Sequence, residues 1–385
     1  MRIRILAGRL DRAAGSHVYH SELARRLAAR GHAVSLVCFG CDSTLVSLAE
    51  VCAIPPRPFE HSPFLWRIAP LRQSWHYRGA LGSVHLSRPE VIIGGEHLLL
   101  KPHARLFPAT PWIYLPHALT VTDEFRHQGL PPVLRGTTLL LYRHLQRWAL
   151  AHASCTVRFT RMASDALTRA YPHRARRLIV NPIGIDVPTV SARPPRAGSP
   201  RLLIVGQLIA RKGIDIALSA LASLKDLPWH LDILGEGPLR AELERTVATL
   251  GLEGRVDFAG QVESPARWYS RADLLLFPSR SESLGLVALE AMSYGVPCLA
   301  FRADGAQFTT VSEEFIEHSR TGLLVSSLPE FGHALRAALQ RPESLGELGR
   351  AARATVQSRY SWESHLDRYE SLFAELVAAH HSPPQ

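Results

Sequence analysis

The sequence predicts an α/β protein built from two doubly wound domains that face a cleft. Three observations support this fold class. Short apolar runs typical of buried strands alternate with helical patterns in both halves of the chain. The length, 385 residues, allows each of two domains to bury its own core. Residues 187–200 contain four prolines and no apolar period, which indicates a linker.

These observations give the expected boundaries. A first domain covers residues 1–187, a linker covers 188–200, and a second domain covers 201–360. Residues 361–385 follow the second domain and predict a terminal helix.

The composition limits the classes of partner. The net charge is +10, and arginine carries almost all of the positive charge because only three lysines are present. A basic protein suits nucleic acid, an anionic membrane or anionic substrates, although an arginine excess also suits a GC-rich genome. The first residues predict a strand and not a secretory signal, and no apolar run reaches transmembrane length. We therefore expect a cytoplasmic protein whose membrane association, if any, is peripheral.

The five cysteines indicate neither a disulfide framework nor a metal centre. Cys38 and Cys41 have a spacing seen in redox and zinc sites, but no second pair accompanies them. Buried small hydrophobic residues explain them better, and a reducing compartment follows.

The first domain opens with a strand, a helix and a second strand over residues 3–38. Two later predicted strands, 91–93 and 112–115, are each followed by a histidine, His97 and His117. The carboxyl ends of strands are where open α/β sheets bind ligands, so both histidines are candidate site residues.

Arginines and aromatic residues are interleaved in two parts of the first domain, 55–79 and the helical pattern 134–153. This mixture is compatible with single-stranded nucleic acid, with a glycan or anionic lipid, and with simple packing beneath solvated arginines. The residues concerned are Arg57, Arg67, Arg72, Arg78, Arg135, Arg143 and Arg147 with Phe64, Trp66, Trp75 and Trp148.

The second domain opens with strand 201–205, which leads through Gly206 to Arg211 and Lys212 at the start of a helix. Two cations beside the amino end of a helix suit a diphosphate, and solvated surface charges are the alternative. The strands that end near residues 234 and 260 continue into Gly235 and Val262.

The most informative segment of the second domain is residues 278–296. A buried strand precedes it, and an apolar helix begins at Leu286. Glu282 in the loop and Glu290 in the helix are eight residues apart, a helical length of roughly 12 Å. Carboxylates accept bonds from hydroxyls, and free helix amides attract an anion. The spacing therefore fits a nucleotide-sugar, although an ordinary strand–helix corner fits it equally well.

Glu282-x7-Glu290, with Pro278-Ser279 before it and Gly295-x-Pro297 after it, resembles the signature of the retaining GT-B glycosyltransferases of the GT4 type. The resemblance extends over most of the chain. Arg30-Gly31-His32 matches the family, Ala14-Gly15 half-matches its Gly-Gly pair, Gln207 replaces a common arginine, and residues 306–312 look inserted.

The resemblance implies the GT-B fold, with the terminal helix crossing back towards the first domain. It implies that Glu290 binds ribose hydroxyls, that Glu282 holds the donor sugar, and that His117 lies near the reacting carbon. Arg211 and Lys212 would neutralise the diphosphate, so no metal or other cofactor is expected. The remaining donor contacts implied are Gly15, Gly206, Gly235, Val262, Ser283, Leu284, Gly285 and Leu286.

The activity implied is that of a retaining hexosyltransferase in polysaccharide biosynthesis. The donor is a nucleoside-diphosphate-sugar, and the acceptor is a glycan or glycolipid, reached from the cytoplasm or from the inner face of the membrane. Nucleic acid is not an expected partner. Two alternatives stay open: a nucleotide-sugar epimerase with the same fold, and a nucleotide-sugar-binding protein without activity.

Overall fold

A computed structural model describes residues 1–10, 15–38, 40–41, 50–53, 87–95, 97–116, 132–172, 177–189 and 198–381. The chain divides into two compact units, each with its own parallel sheet. The first unit comprises Met1–Asn181 with Leu366–Gln385, and the second comprises Pro182–His365. The predicted α/β class with two doubly wound sheets is confirmed.

The first unit is organised around a parallel sheet. The strands described in this unit are β1 Arg2–Leu6, β2 Arg9–Leu10, β3 Ala33–Cys38, β4 Gly40–Cys41, β5 Glu50–Ala53, β6 Val91–Gly94, β7 Trp112–Tyr114, β8 Cys155–Arg158 and β9 Leu178–Val180. Seven of them form the sheet, in the order β5-β3-β1-β6-β7-β8-β9, and every neighbouring pair is parallel. The short strands β2 and β4 pair separately with each other. The strands of the sheet are largely apolar because parallel sheets are covered on both faces.

Helices cover this sheet. Those described are α1 Gly15–Ala29, α2 His97–Leu106, α3 Pro132–His152 and α4 Arg161–Ala170, and the terminal helix, which we label α12, spans Trp362–His381. Thr160 caps α4, its hydroxyl accepting a hydrogen bond from the Ala163 amide at 3.2 Å. Cys38, Cys52 and Cys155 are buried in this unit, as expected for small hydrophobic residues. In the described part of the chain, no helix combines the length and the apolar character needed to cross a membrane.

Residues from α12 contact the first unit through ion pairs and one buried tyrosine pair. Arg30 donates to Asp367 at 2.6 Å and to Glu370 at 2.8 Å, and His32 contacts Glu370 at 2.9 Å. The Tyr19 hydroxyl lies 3.4 Å from that of Tyr369. Arg30-Gly31-His32 therefore holds the terminal helix against this unit.

The segment just after Asn181 belongs to the second unit, although the sequence placed the first domain's end at residue 187. The Ile185 amide donates to the Tyr360 carbonyl at 2.6 Å, and the His365 ring donates to the Pro182 carbonyl at 2.6 Å. These two bonds join the segment to residues at and just before the start of α12.

The second unit contains a six-stranded parallel sheet. Its strands are β10 Arg201–Val205, β11 His230–Leu234, β12 Val256–Gly260, β13 Leu274–Phe277, β14 Cys298–Phe301 and β15 Gly322–Val325. Their order in the sheet is β12-β11-β10-β13-β14-β15. The helices are α5 Ile214–Ala222, α6 Arg240–Thr249, α7 Ala266–Tyr269, α8 Leu286–Ser293, α9 Ser312–Phe315, α10 Leu328–Gln340 and α11 Glu343–Arg359, and a 3-10 turn covers Ala210–Lys212.

The strand order places a switch point between β10 and β13. From β10 the chain builds β11 and β12 on one side, and then returns to build β13, β14 and β15 on the other. The loops that leave β10 and β13 therefore diverge at the carboxyl edge of the sheet, which opens a crevice suited to a ligand.

Candidate functional site

The loops at this carboxyl edge are packed backbone against backbone. Gly235 has φ +127°, and a Cβ at this position would overlap the Gly206 carbonyl. Gly213 has φ +65°, and a Cβ there would overlap the Pro278 carbonyl. Glycine is required at both positions because a side chain would separate the loops and the left-handed backbone would be strained. The loops after β10, β11 and β13 thus form one layer.

Three of the predicted charged residues meet in the crevice between β10 and β13. The Lys212 ammonium lies 2.6 Å from the Glu282 carboxylate, and the Arg211 guanidinium lies 3.7 Å from the same oxygen. The Lys212 and Glu282 side chains are only 14% and 12% exposed. Arg211 also donates to the Ser281 carbonyl at 2.8 Å. Lys212 is therefore not a solvated surface charge.

Glu290 lies in the second turn of α8 and is half-buried. Burial raises the pKa of its carboxyl, and a hydrogen bond from the Tyr269 hydroxyl, 2.9 Å away, acts in the opposite direction. Burial and the neighbouring Glu290 charge raise the pKa of Tyr269 well above its usual value. The Glu290 carboxylate is thus partly shielded from solvent and accepts a hydrogen bond from the Tyr269 hydroxyl. It is not a surface residue that merely favours helix formation.

The other predicted residues of the second unit occupy the same edge. Gly206, Gly235 and Val262 lie in the loops after β10, β11 and β12. Ser283, Leu284 and Gly285 form the loop before α8, whose first residue is Leu286. The first amides of α8 lack partners within the helix, and they stand next to Glu282 in the chain. The structure therefore brings these positions to one edge of one sheet, and the donor contacts predicted for them stay predictions.

Sequence reasoning missed Tyr269, Arg280 and Thr309. Arg280 pairs with Asp215 through two bonds of 2.8 and 2.6 Å, which lowers the Asp215 pKa, and donates to the Ala210 carbonyl at 2.8 Å. The Thr309 amide donates to the Arg280 carbonyl at 2.8 Å, and the Thr309 carbonyl accepts from the Glu282 amide at 2.8 Å. The segment 306–312, which looked inserted, thus supports the Glu282 loop.

The candidate residues of the first unit are less fully described. His117 lies outside the described residues, and the same holds for Arg57, Arg67, Arg72 and Arg78 with their aromatic neighbours. Gly15 is the first residue of α1, and His97 is the first residue of α2. The roles predicted for these positions stay predictions.

Two side chains beside the first unit's sheet, Arg158 and Trp148, are at least partly shielded from solvent. Arg158 is buried and donates to the carbonyl of Pro116, the residue before His117, and burial lowers its pKa to about 10. Trp148 stacks on Trp112 and on His152, with ring centroids 5.7 and 4.8 Å away. It is partly buried, and the Lys101 ammonium lies 5.5 Å from its ring centroid, so the surface role predicted for it stays a prediction.

Among the described residues, one group of histidine and carboxylates is close enough to share a metal ion. His230, Asp232 and Asp257 have ligand atoms within 4.8 Å of one another. They lie in the first three residues of β11 and β12, whereas the loops that hold Lys212 and Glu282 follow the carboxyl ends of β10 and β13. Arg201 already contacts Asp232 at 3.3 Å. This group therefore lies apart from the Lys212–Glu282 pair.

Comparisons with known proteins cover both units. The family model described as glycosyl transferase 4-like domain matches residues 14–184, and the model described as glycosyl transferases group 1 matches residues 199–341. D-inositol 3-phosphate glycosyltransferase of Arthrobacter sp. (strain FB24) is 31% identical over 49% of this chain and 46% of its own length. The chain therefore spans about half the length of this relative.

A longer alignment exists with glycogen synthase of Mycobacterium tuberculosis, which is 28% identical over 91% of this chain and 88% of its own length. Among solved structures, sucrose-phosphate synthase (tll1590) from Thermosynechococcus elongatus has a TM-score of 0.74 at 24% identity and covers 98% and 99% of the two chains. Anabaena Alr3699/HepE in complex with UDP and glucose has a TM-score of 0.70 at 18% identity and covers 97% and 100%.

The two family models together match both halves of the chain, and the solved structures share its fold from end to end. The two parallel sheets and the charged residues at the switch point agree with this assignment. The chain belongs to the GT4-type family of glycosyltransferases with the GT-B fold.

Proposed function

We propose that this protein transfers a sugar from a nucleoside-diphosphate-sugar to an acceptor hydroxyl, with retention at the anomeric carbon. The observation that carries the proposal is the cluster of Arg211, Lys212 and Glu282 at the switch point of the second sheet. The cluster joins two cations, which suit a diphosphate, to a carboxylate, which suits sugar hydroxyls. Glu290, in the second turn of α8, would accept hydrogen bonds from the ribose hydroxyls.

A bound diphosphate would share the positive charges of Arg211 and Lys212 with the Glu282 carboxylate. Lys212 has three N–H donors, so it is able to contact a phosphate oxygen while retaining Glu282. Arg211 and the first amides of α8 supply further donors. When the bond between the sugar C1 and the phosphate oxygen breaks, these groups stabilise the charge on the leaving diphosphate in a mostly dehydrated place.

The acceptor would attack C1 from the face that the diphosphate leaves. The acceptor oxygen forms the new bond to C1, the C1–phosphate oxygen bond breaks with its electron pair, and the acceptor proton passes to the departing phosphate. This scheme needs no metal, because Arg211 and Lys212 oppose the leaving charge. His117 is assigned a hydrogen bond to the donor sugar, as the family resemblance suggests.

The choice of donor is open to direct measurement. The structure of Anabaena Alr3699/HepE with UDP and glucose makes UDP-glucose the first probe. Binding is measured by thermal shift over a panel of nucleotide-sugars, because a ligand that binds the folded state raises Tm. Turnover is then followed by release of nucleoside diphosphate with glycan and glycolipid acceptors, and NMR of the product gives the anomeric configuration.

Each outcome of this experiment has a clear meaning. Acceptor-dependent release with retained configuration supports the proposal. Conversion of the donor sugar without acceptor indicates an epimerase, and binding without turnover over the whole acceptor panel indicates a binding protein. Inversion at C1 contradicts the retaining mechanism.

We further propose a glycan or glycolipid acceptor reached from the cytoplasm, with peripheral contact to an anionic membrane. Among the described residues of α3, Leu140 is 68% exposed, and His144 and Arg147 are also exposed. Each basic residue near an anionic surface contributes about 1 kcal/mol, and salt screens it. Sedimentation with anionic but not neutral vesicles at low salt supports this contact, and equal failure with both contradicts it.

A further inference from the structure

We propose that Arg280 is a positioning residue that fixes Lys212 and Glu282 relative to each other for donor binding. This inference rests on the proposed function and names a residue that the family signature leaves unspecified. Lys212 and Glu282 are 70 residues apart in the chain and belong to loops from different strands. Their 2.6 Å contact therefore depends on whatever joins the two loops.

The Arg280 side chain joins the Glu282 loop to the segment that carries the cations. It forms two bonds with Asp215 in the first turn of α5, at 2.8 and 2.6 Å, and one bond of 2.8 Å to the Ala210 carbonyl. Ala210 begins the 3-10 turn that contains Lys212, and α5 follows that turn after one residue. A planar guanidinium makes all three contacts at once, which fixes direction as well as distance.

The Arg280 backbone completes the connection on both sides. Its amide donates to the Arg211 carbonyl at 2.8 Å, and its carbonyl accepts from the Thr309 amide at 2.8 Å. Thr309 in turn accepts from the Glu282 amide at 2.8 Å. The Arg280 backbone is therefore bonded to Arg211 on one side and to Thr309, which binds the Glu282 amide, on the other.

The chain contains a matched control for the side-chain contacts. Arg336 forms two bonds with Asp226, at 2.8 and 3.2 Å, and donates to the Ser223 carbonyl at 2.9 Å. The exposures are similar, 33% and 54% for Arg280 with Asp215, against 37% and 58% for Arg336 with Asp226. The Arg336 contacts do not touch the donor loops, so Arg336→Ala measures what such a pair contributes to folding alone.

The experiment compares Arg280→Ala, Arg280→Lys and Arg336→Ala in the full chain, with UDP-glucose as first probe or whichever nucleotide-sugar turns over. We expect Arg280→Ala to lower kcat/KM for the donor by about 10- to 100-fold, since small misplacements of binding groups have such effects. Arg280→Lys should recover part of the loss because it restores one donor. Arg336→Ala should leave kcat/KM within about 2-fold, since exposed pairs contribute little.

A double-mutant cycle tests whether Arg280 acts through Lys212. In a Lys212→Ala background, Arg280→Ala should cause little further loss, because the group that it positions is already gone. Full additivity, or an Arg280→Ala effect no larger than that of Arg336→Ala, overturns the proposal.

Hydrogen exchange separates this proposal from the proposed function. Arg280→Ala should increase amide exchange at residues 210–213 and 280–283, and Arg336→Ala should not. If the wild-type protein binds no nucleotide-sugar, the proposed function fails, while increased exchange still shows that Arg280 fixes the loops. Unchanged exchange in Arg280→Ala overturns the positioning role whatever the activity.

Discussion

Glu290→Gln should weaken nucleotide binding and raise the stability of the fold, and these opposite effects test the proposed donor site. Glu290 is half-buried and has one fixed donor, the Tyr269 hydroxyl at 2.9 Å. Glutamine has nearly the same shape, and its amide oxygen still accepts from Tyr269. We therefore expect the fold to remain intact.

The stability effect follows from the direction of the pKa shift. Burial raises the pKa of Glu290 in the folded state, so its contribution to stability is fully present below the unfolded pKa and is lost as the pH rises through the folded value. At neutral pH the ionised carboxylate is a cost to folding, which glutamine does not bear. Glu290→Gln should therefore raise Tm at pH 7, and the gain should disappear towards pH 4.

In contrast to the stability, the affinity for nucleoside diphosphate should fall in Glu290→Gln. Hydrogen bonds to a charged group contribute about 1.5–3 kcal/mol, so replacing the carboxylate should weaken nucleoside diphosphate binding by about 10- to 150-fold. Isothermal titration with UDP measures the affinity, and calorimetric unfolding between pH 4 and pH 8 measures the stability. Glu244→Gln, at an exposed carboxylate paired with Arg240, is the control. A raised Tm with unchanged affinity would show that Glu290 has no part in the donor site.

Three further outcomes are expected. Lys212→Ala should raise the Kd for UDP by about 10- to 150-fold, because it removes a charged hydrogen-bond donor. An unchanged Kd in titration would show that the diphosphate does not bind at Lys212. Turnover should persist in excess chelator, since the cations are protein side chains; loss of activity with rescue by manganese would contradict this assignment. Arg30→Ala should lower the free energy of unfolding by about 1 kcal/mol in urea, because Arg30 pairs with Asp367 and Glu370 at the surface; no change would show that these pairs do not stabilise the terminal helix.

The sequence predicted the second unit well because its signals are local. The strand–helix alternation gave the α/β class, and a charged pair beside a glycine-bounded loop pointed to the edge where Lys212 and Glu282 meet. The carboxyl ends of parallel strands share one edge, which explains why loops distant in sequence converge there. Local pattern and topology thus explain where these residues lie, and their contacts to a donor stay predictions.

The supporting contacts were not predictable in the same way. Tyr269 contributes through a single hydrogen bond from its hydroxyl, at the end of α7, to Glu290 in α8. Arg280 contacts Asp215 and Ala210 through its side chain, and these contacts depend on the path of loops that are far apart in the sequence. Thr309 acts through main-chain bonds alone, and any residue type supplies its amide and carbonyl. Such contacts leave no side-chain pattern in a sequence. The one general signal was that a buried tyrosine such as Tyr269 needs a hydrogen-bond partner for its hydroxyl, and this does not identify the partner.

The position of Glu282 also bears on how the proposed retention would be achieved. A retaining transferase uses either a protein nucleophile in two displacements or attack on the face that the leaving group vacates. The Glu282 carboxylate is 12% exposed and lies 2.6 Å from Lys212, so it is stabilised as a charge partner, which lowers its reactivity as a nucleophile. We therefore expect Glu282→Gln to retain a measurable fraction of kcat, on the order of a hundredth, since a hydrogen-bonding role is only weakened. Rapid-quench kinetics of donor turnover checks this expectation. Complete loss of turnover, together with a glycosyl adduct on Glu282 detected by mass spectrometry of the wild-type protein, would establish the two-displacement route instead.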